Sequence, residues 1–241
     1  MTSSPTSRAT LAFLRIADAV GTLCVGLLLG GCATSPEAQP VPNLYEVKKE
    51  ISLYVSSGRY QEDVAAVYAR AGAYLDTRAH GQTNLAIVLD VDETVLSNIP
   101  LLKLNDWNLY LTGPTNSVSG PCSLVDWIKL ERGEAIQPAL ELIRAARSRG
   151  VAVFLITARP ESLRTPTEKN LRAVGCEWTR LILKPTKLKV QSETEYKAPA
   201  RQKLVEEGYT ILMSIGDQQS DLAGGFAERT FKLPNPFYFA P

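Results

Sequence analysis

The spacing of hydrophobic residues changes twice along the chain. Residues 16–31 form one apolar stretch, and residues 44–78 place apolar side chains at helical spacing, which predicts two helices broken near Ser57 and Gly58. From residue 86 onward, apolar runs predict strands at 86–89, 151–156, 181–183, 210–215 and 230–233, and amphipathic segments predict helices at 138–148, 161–174 and 198–207. Apolar strands that alternate with helices are typical of a parallel sheet covered on both faces, so we expect an α/β fold.

The connection after the first predicted strand is unusually long. Residues 98–133 separate that strand from the helix expected to return to the sheet, which exceeds an ordinary crossover. We expect this insertion, with the N-terminal helices of residues 44–80, to form a small, mainly helical cap. The insertion carries three aromatic residues, Trp107, Tyr110 and Trp127. They either stack on a nucleobase or aromatic leaving group, or form the core of the cap itself.

The N-terminal 31 residues have the features of a signal peptide. Arg8 and Arg15 precede the apolar stretch, and small residues follow it. The stretch ends in Leu-Gly-Gly-Cys, which resembles the bacterial lipobox and implies that Cys32 carries a lipid anchor. Ordinary signal-peptide cleavage or a single membrane anchor are the alternatives. We expect an exported lipoprotein, anchored in the outer membrane and facing the periplasm or the cell surface.

Domain boundaries follow from the same composition. Residues 32–43, rich in proline and small polar residues, predict a flexible tether, and residues 44–241 predict one domain. Cys122 and Cys176 would lie in that domain. They are either bridged, because an exported protein can form disulfides, or two separate core residues.

Charge and residue usage exclude several functions. The 241 residues carry a formal charge of +1, and lysine and arginine are scattered, so we expect no nucleic acid polymer as a partner. His80 is the single histidine and precedes the first strand, which excludes histidine-nucleophile phosphatases and multi-histidine zinc sites. No glycine-rich P-loop is present.

Three predicted strand ends carry polar motifs. DVDET begins at Asp90 and TAR begins at Thr157, while GDQQSD runs from Gly216 to Asp221. A fourth motif, Glu-Tyr-Lys, ends at Lys197 before the helix predicted at 198–207. Because ligands bind outside the carboxyl ends of parallel strands, we expect these motifs to form one site.

The four motifs together resemble the haloacid dehalogenase (HAD) superfamily of phosphohydrolases. The resemblance extends from residue 84 to the C-terminus and keeps the order of the superfamily's motifs: DVDET, ITAR, the lysine and GDQQSD. The wording DVDETVLSN, the insertion and GDQQSDL are similar to the acid phosphatase branch, subfamily IIIB. That branch contains bacterial lipoprotein acid phosphatases and plant vegetative-storage-type acid phosphatases. The resemblance implies a HAD-like Rossmannoid sheet with a cap.

The resemblance also implies catalytic roles. Asp90 would attack phosphorus and form an aspartyl-phosphate, and Asp92 would act as general acid and base. The cofactor would be Mg²⁺, since hard cations prefer oxygen ligands. The metal site would contain Asp90, Asp92 through its backbone carbonyl, Asp217 and Asp221.

Phosphate binding is assigned by the same resemblance. Thr157, Ala158 and Lys197 would bind the transferring phosphoryl group. Asp221 would orient Lys197 or a metal-bound water. Lys184, at the end of the third strand, is a competitor of Lys197 for the role of the lysine.

The predicted function is a Mg²⁺-dependent acid phosphatase that hydrolyses small phosphomonoesters, with nucleoside 5′-monophosphates among the expected substrates. A phosphotransferase of the same fold is one alternative, because an alcohol can replace water as the acceptor. A non-catalytic surface binding or storage-type lipoprotein is the other.

Overall fold

The computed structural model describes residues 41–113 and 121–240. The chain divides into two units, Met1–Val41 and Pro42–Pro241, and the described fold belongs to the second unit. The predicted signal peptide, the lipid anchor at Cys32 and nearly all of the 32–43 tether lie outside the described residues. Within the described part of the chain, no helix is both long and apolar enough to cross a membrane.

A five-stranded parallel sheet forms the centre of the domain, as the apolar runs predict. Its strand order is β5-β4-β1-β6-β7, and every neighbouring pair is parallel. The strands are β1 (Leu85–Leu89), β4 (Ala152–Pro160), β5 (Arg180–Lys184), β6 (Thr210–Gly216) and β7 (Arg229–Lys232). A separate antiparallel pair is formed by β2 (Leu96–Ser97) and β3 (Glu134–Ala135).

Helices cover both faces of the sheet. The α-helices are α1 (Leu44–Ser56), α2 (Arg59–Arg78), α3 (Ile99–Leu104), α4 (Leu124–Lys129), α5 (Gln137–Ser148), α6 (Arg164–Ala173) and α7 (Thr194–Glu206). Along β1, Ile87 and Leu89 belong to a buried cluster shared with α2 and α5, whereas Ala86 and Val88 belong to a cluster shared with α7. Successive side chains of a strand point to opposite faces, so one fully apolar run fills two cores.

Glycine ends three helices where the sequence predicts that they end. Gly150, Gly175 and Gly208 follow α5, α6 and α7 with φ of 74°, 76° and 94°. This left-handed backbone is the usual helix terminator, and it costs glycine little because glycine has no Cβ. The start of α7 differs from the prediction: the helix begins at Thr194, four residues before residue 198. Lys197 therefore lies in its first turn.

The predicted cap joins residues 44–80 to the insertion, and this grouping stays a prediction. Within 44–80, α2 packs on the sheet and shares the largest buried cluster with α5, because its apolar stripe matches the apolar face of the strands. Lys48 of α1 forms an ion pair with Asp106 of the insertion at 2.6 Å. The insertion behaves as predicted in one respect. Leu101, Cys122 and Trp127 form a small buried cluster of their own, and the β2-β3 pair joins the two ends of the insertion.

The two cysteines of the domain are free thiols. Cys122 is buried in the cluster of the insertion, and Cys176 is buried in the largest cluster of the sheet domain. Of the two alternatives, separate small core residues describe this structure.

Candidate active site

A cavity of about 610 Å³ lies at the carboxyl ends of the central strands. Asp90 and Asp92 follow β1, Asp217 follows β6, and Lys197 enters from the first turn of α7. The motifs that the sequence places on separate strand ends therefore meet in one site. The parallel sheet explains this meeting, because it brings the carboxyl ends of all its strands to one edge.

Asp90 is held in the sheet although it lies beyond β1. Its backbone N–H donates to the carbonyl of Ile215 on β6 at 3.0 Å, which extends the parallel ladder by one residue. The side chain is buried, and its Oδ1 accepts a hydrogen bond from Lys197 Nζ at 2.7 Å. The backbone of the strand thus orients the carboxylate before any ligand binds.

Lys197 is also bound to a second carboxylate. Its Nζ lies 2.5 Å from Oδ1 of Asp221, and both side chains are buried. Arg201, one turn further along α7, donates to the backbone carbonyl of Asp221 at 2.7 Å and to that of Gly225 at 3.0 Å. One helix therefore holds both the amino group and the loop that carries its partner.

Three buried carboxylates converge at the base of the cavity. One carboxylate oxygen from each of Asp90, Asp217 and Asp221 lies within 4.8 Å of the other two. Gly216 permits this approach, because a Cβ at that position would meet the side chain of Asp221 at 2.2 Å. We call Asp90, Asp217, Asp221 and Lys197 the acidic floor; within the described residues, Lys197 is the cation that forms ion pairs with these carboxylates.

The acidic floor contains more negative charge than its one ammonium neutralises. Burial raises the pKa of Asp90 well above its usual range, against the opposing charge of Lys197. Burial, followed by the charge of Asp221, raises the pKa of Asp217 to about 6. Buried carboxylates need a compensating cation to stay ionised, and clustered oxygen ligands suit Mg²⁺.

Asp92 has a different partner from Asp90. Its carboxylate forms a bidentate ion pair with Arg159, with Nε–Oδ2 at 3.0 Å and Nη2–Oδ1 at 2.7 Å, and it also accepts from Asn98 Nδ2 at 2.8 Å. Burial alone would raise the pKa of Asp92, but the charge and hydrogen bonds of Arg159 and the hydrogen bond of Asn98 lower it overall. Two carboxylates, two residues apart, thus lie in opposite electrostatic environments.

The C-terminal segment, residues 234–240, reaches back to the site. Asn235 Nδ2 donates to Asp217 Oδ2 at 2.6 Å, and the backbone N–H of Ala240 donates to Gln218 Oε1 at 3.1 Å. The hydroxyl of Tyr238 donates to Glu93, which is fully buried. The segment therefore supports two of the motif loops.

Glu93 belongs to the same network. Its Oε1 accepts from the backbone N–H of Asn98 at 2.6 Å. Burial, followed by the charges of Asp92 and Asp217, raises the pKa of Glu93 to about 8, while the hydroxyl of Tyr238 opposes that rise. The network joins the turn after β1 to the C-terminal segment.

Comparisons with known proteins agree on one family. Residues 34–241 match the family described as "HAD superfamily, subfamily IIIB (Acid phosphatase)". The chain is 33% identical to acid phosphatase 1 of Solanum lycopersicum over 77% of this chain and 71% of that protein. It is 34% identical to vegetative storage protein 1 of Arabidopsis thaliana, over 78% of this chain and 67% of that protein.

This chain belongs to HAD subfamily IIIB, the acid phosphatases. Among solved structures, the class C acid phosphatase of Bacillus anthracis superposes with a TM-score of 0.62 at 24% identity, covering 80% of this chain and 86% of that one. The likeness confirms the predicted HAD-like fold. The subfamily IIIB protein described here is a phosphomonoesterase, a hydrolase of phosphate esters.

The structure distinguishes between the two candidate lysines of this acid phosphatase. Lys197 contacts Asp90 and Asp221, as described above, whereas Lys184 forms an ion pair with Glu193 at 2.7 Å. Both lysines line the cavity, but of the two only Lys197 forms ion pairs with the carboxylates of the acidic floor. The first turn of α7 accounts for the difference, since it directs Lys197 at the end of β1.

The predicted phosphate-binding residues occupy different depths. Ala158 lines the cavity, whereas Thr157 is fully buried behind it and its Oγ1 accepts from the backbone N–H of Arg159 at 3.2 Å. Asp221 likewise lies beneath the cavity lining, where it binds Lys197. The roles assigned to these residues by family resemblance stay predictions.

The structure does not place the three predicted stacking residues in the cavity wall. Trp107 stacks on Phe237 with ring centroids 5.7 Å apart, Trp127 is buried in the cluster of the insertion, and Tyr110 is at the surface. None of the three belongs to the described lining of the cavity. Trp127 packs within the insertion and Trp107 packs on the C-terminal segment, whereas Tyr110 is exposed, and stacking on a substrate stays a prediction for all three.

Sequence reasoning missed five residues that hold the site together. They are Glu93, Asn98, Arg159, Asn235 and Tyr238. The first three lie within or beside the DVDET and ITAR motifs, so their positions were a usable signal. The last two follow β7, where no local pattern marks them.

Proposed function

We propose that this protein is a Mg²⁺-dependent acid phosphatase that hydrolyses small phosphomonoesters through an aspartyl-phosphate on Asp90. The observation that carries the proposal is the acidic floor at the base of the cavity, where three carboxylates and one ammonium are buried together. Family membership supports the activity, and the floor supports the mechanism.

The donor set of the floor fits a magnesium ion. The floor offers carboxylate oxygen atoms from Asp90, Asp217 and Asp221. The negative charge of these three groups exceeds the single positive charge of Lys197. The ion would neutralise repulsion between the anionic ester and Asp90 when it is bound. Lys197 would remain to balance charge on the phosphoryl oxygens.

The reaction would proceed in two halves. In the first, a carboxylate oxygen of Asp90 bonds to phosphorus, the bond from phosphorus to the ester oxygen breaks, and Asp92 gives its proton to the leaving alkoxide. In the second, the oxygen of a water molecule bonds to phosphorus, Asp92 takes a proton from that water, and the bond from phosphorus to the Asp90 oxygen breaks. Inorganic phosphate leaves and Asp90 is restored.

Arg159 supports an acidic pH optimum. The first half needs a protonated Asp92, yet Arg159 lowers the pKa of that carboxyl. The protonated fraction therefore increases as the pH falls, and so should the rate of alcohol release.

Small phosphomonoesters form the proposed substrate class, and nucleoside 5′-monophosphates are one group within it to be tested. We further propose export with a lipid anchor at Cys32, supported by the Leu-Gly-Gly-Cys sequence that ends the N-terminal apolar stretch. Radioactive palmitate should label the wild type and not Cys32→Ser. Equal labelling of both would contradict the anchor.

The mechanism is tested by phosphate release from 4-nitrophenyl phosphate. We expect EDTA to abolish activity and added Mg²⁺ to restore it, and Asp90→Asn to lose at least about 10³-fold, because the nucleophile is gone. Asp76→Asn is the matched control, since its carboxylate pairs with Arg149 at the surface. Wild-type activity in Asp90→Asn would overturn the mechanism.

A further inference from the structure

Three exposed apolar side chains surround the mouth of the active-site cavity. Leu111, Leu188 and Phe239 are 64%, 40% and 77% exposed, and all three line the cavity. They come from three separate segments: the insertion, the loop after β5 and the C-terminal segment. We call these three residues the apolar rim. Exposed apolar groups that converge on one opening are typical of a ligand-binding groove.

The apolar surface continues from the rim toward the floor. Five further aliphatic side chains line the cavity: Leu109, Leu124, Val125, Ile128 and Leu163. Among the charged residues higher in the wall, Lys184 and Glu193 neutralise each other in an ion pair of 2.7 Å. Polar side chains also line the cavity, namely Thr112, Thr186, Gln218, Ser220 and Tyr238, but the apolar surface of the lining exceeds its polar surface.

A phosphomonoester bound here would present two chemically different ends. Its phosphoryl group would lie at the acidic floor, so its leaving group would extend along the aliphatic wall. A sugar or other polyol would find no hydrogen-bond partner on the aliphatic side chains of that wall, so the water it loses there would not be replaced, which is unfavourable. An alkyl chain would instead bury apolar surface.

We propose that this acid phosphatase prefers phosphomonoesters with an aliphatic leaving group, held between the apolar rim and the acidic floor. The inference rests on the proposed phosphatase function and adds the class of leaving group. Tyr238 and Phe239 are the aromatic residues of the described lining, and the larger number of leucine, valine and isoleucine side chains in it favours an alkyl chain over a nucleobase.

The test is a homologous series of ethyl, butyl, hexyl and octyl phosphate, each below its critical micelle concentration, with phosphate release as the readout. We expect kcat/KM to increase about twofold per methylene, which is half the effect of full burial because the wall is open to solvent. Octyl phosphate should therefore exceed ethyl phosphate by about 60-fold over six methylenes, and it should exceed glucose 6-phosphate and adenosine 5′-monophosphate. A flat series, or a preference for either polar ester, would overturn the inference.

Matched variants assign the effect to the rim. The double variant Leu111→Ser/Leu188→Ser should reduce the octyl-to-ethyl ratio of kcat/KM at least fivefold. Leu44→Ser/Leu53→Ser is the control: these residues are 67% and 59% exposed but lie on α1 outside the cavity lining, and the ratio should stay at its wild-type value. An unchanged ratio in the rim variant would contradict the assignment.

The experiment separates the two proposals. If the wild type hydrolyses none of the esters with Mg²⁺ present, the proposed phosphatase function fails. If it hydrolyses all of them at rates independent of chain length, the phosphatase function stands and only the inferred leaving group is wrong.

Discussion

The acidic floor and the apolar rim are two ends of one cavity, and each reverses the usual arrangement of residues in a protein. At the floor, Asp90, Asp217, Asp221 and Lys197 are charged and buried. At the rim, Leu111, Leu188 and Phe239 are apolar and exposed. Burying charge and exposing large apolar groups both cost free energy of folding, so neither end is explained by stability.

The two ends differ in how the rest of the protein supports them. Each carboxylate of the floor has its own donors: Lys197 donates to Asp90 and Asp221, Asn235 donates to Asp217, and the backbone N–H of Gln218 donates to Asp221. The rim residues, in contrast, lie in the insertion, in the loop after β5 and in the C-terminal segment, outside the helices and strands. A charged site must be positioned accurately for chemistry, whereas an apolar surface that holds a flexible chain needs only area.

The largest effect should follow removal of the cation from the floor. Lys197→Met leaves Asp90 and Asp221 buried without their partner, so we expect a loss of about 3–5 kcal/mol in the free energy of unfolding measured by urea in EDTA. Activity should fall at least about 10²-fold. Mg²⁺ should stabilise this variant more than the wild type, because it compensates the same charge.

The control for the floor is the other lysine of the cavity. Lys184→Met breaks a partly exposed ion pair with Glu193, so its loss should stay within about 1 kcal/mol. Equal losses of unfolding free energy in Lys197→Met and Lys184→Met would show that the ion pairs of the floor contribute no more to stability than the ion pair in the cavity wall.

The next effect concerns the pH dependence set by Arg159. Burial raises the pKa of Asp92, and Arg159 lowers it below its usual range. Arg159→Met removes the largest lowering influence and leaves burial opposed only by the Asn98 hydrogen bond and the charge of Lys197, so the pKa of Asp92 increases and its protonated form persists to higher pH. The high-pH limb of kcat/KM that reports Asp92 should move upward, with a fall of about 10²-fold in kcat/KM at its optimum.

Arg159→Lys is the matched variant for that experiment. It keeps the positive charge and loses the bidentate geometry, so the high-pH limb of its kcat/KM profile should lie between those of the wild type and Arg159→Met. A limb that stays at the wild-type pH in Arg159→Met would mean that Asp92 is not the group that titrates.

A smaller effect should follow loss of the support that the C-terminal segment gives to the floor. Asn235→Ala removes the hydrogen bond to Asp217 Oδ2, which should raise the Mg²⁺ concentration for half-maximal activity about tenfold. The Mg²⁺ concentration needed to raise the unfolding temperature should increase in parallel. Asn108→Ala, which removes bonds only to backbone carbonyls of its own loop, should change neither.

The smallest effect should be that of the rim on stability. The variant Leu111→Ser/Leu188→Ser should change the free energy of unfolding by no more than about 0.5 kcal/mol per site, since both side chains are already exposed. Urea unfolding measures it. A loss above about 2 kcal/mol would show that the rim serves packing, and the contrast with the floor would disappear.

Much of the floor could be predicted from local patterns. The apolar run 86–89 followed by two aspartates located β1 and its carboxyl end, and GDQQSD located the corresponding end of β6. The start of α7 was harder to predict, because the helix begins at Thr194 and not at residue 198. A helix that packs on a sheet and a helix that covers a site have the same apolar stripe, so the sequence could not show that α2 shares the largest buried cluster of the sheet.

The partners of the floor could not be predicted. Asn235 and Tyr238 lie 18 and 145 residues from the carboxylates that they contact, Asp217 and Glu93. No periodicity connects residues at such separations. The aromatic residues of the insertion were ambiguous for a related reason, since their types are suited equally to a substrate and to the stack between Trp107 and Phe237.

The sequence by itself determined which polar residues follow which apolar run along the chain, and hence the family. Only the tertiary structure decided which lysine meets Asp90, that Arg159 pairs with Asp92, and that exposed leucines surround the opening. The physical reason is that strand and helix formation depend on neighbours within a few residues, whereas charge pairing and cavity lining depend on distances in space. VLDVDET contains two aspartates; the fold makes one of them part of the floor and pairs the other with an arginine.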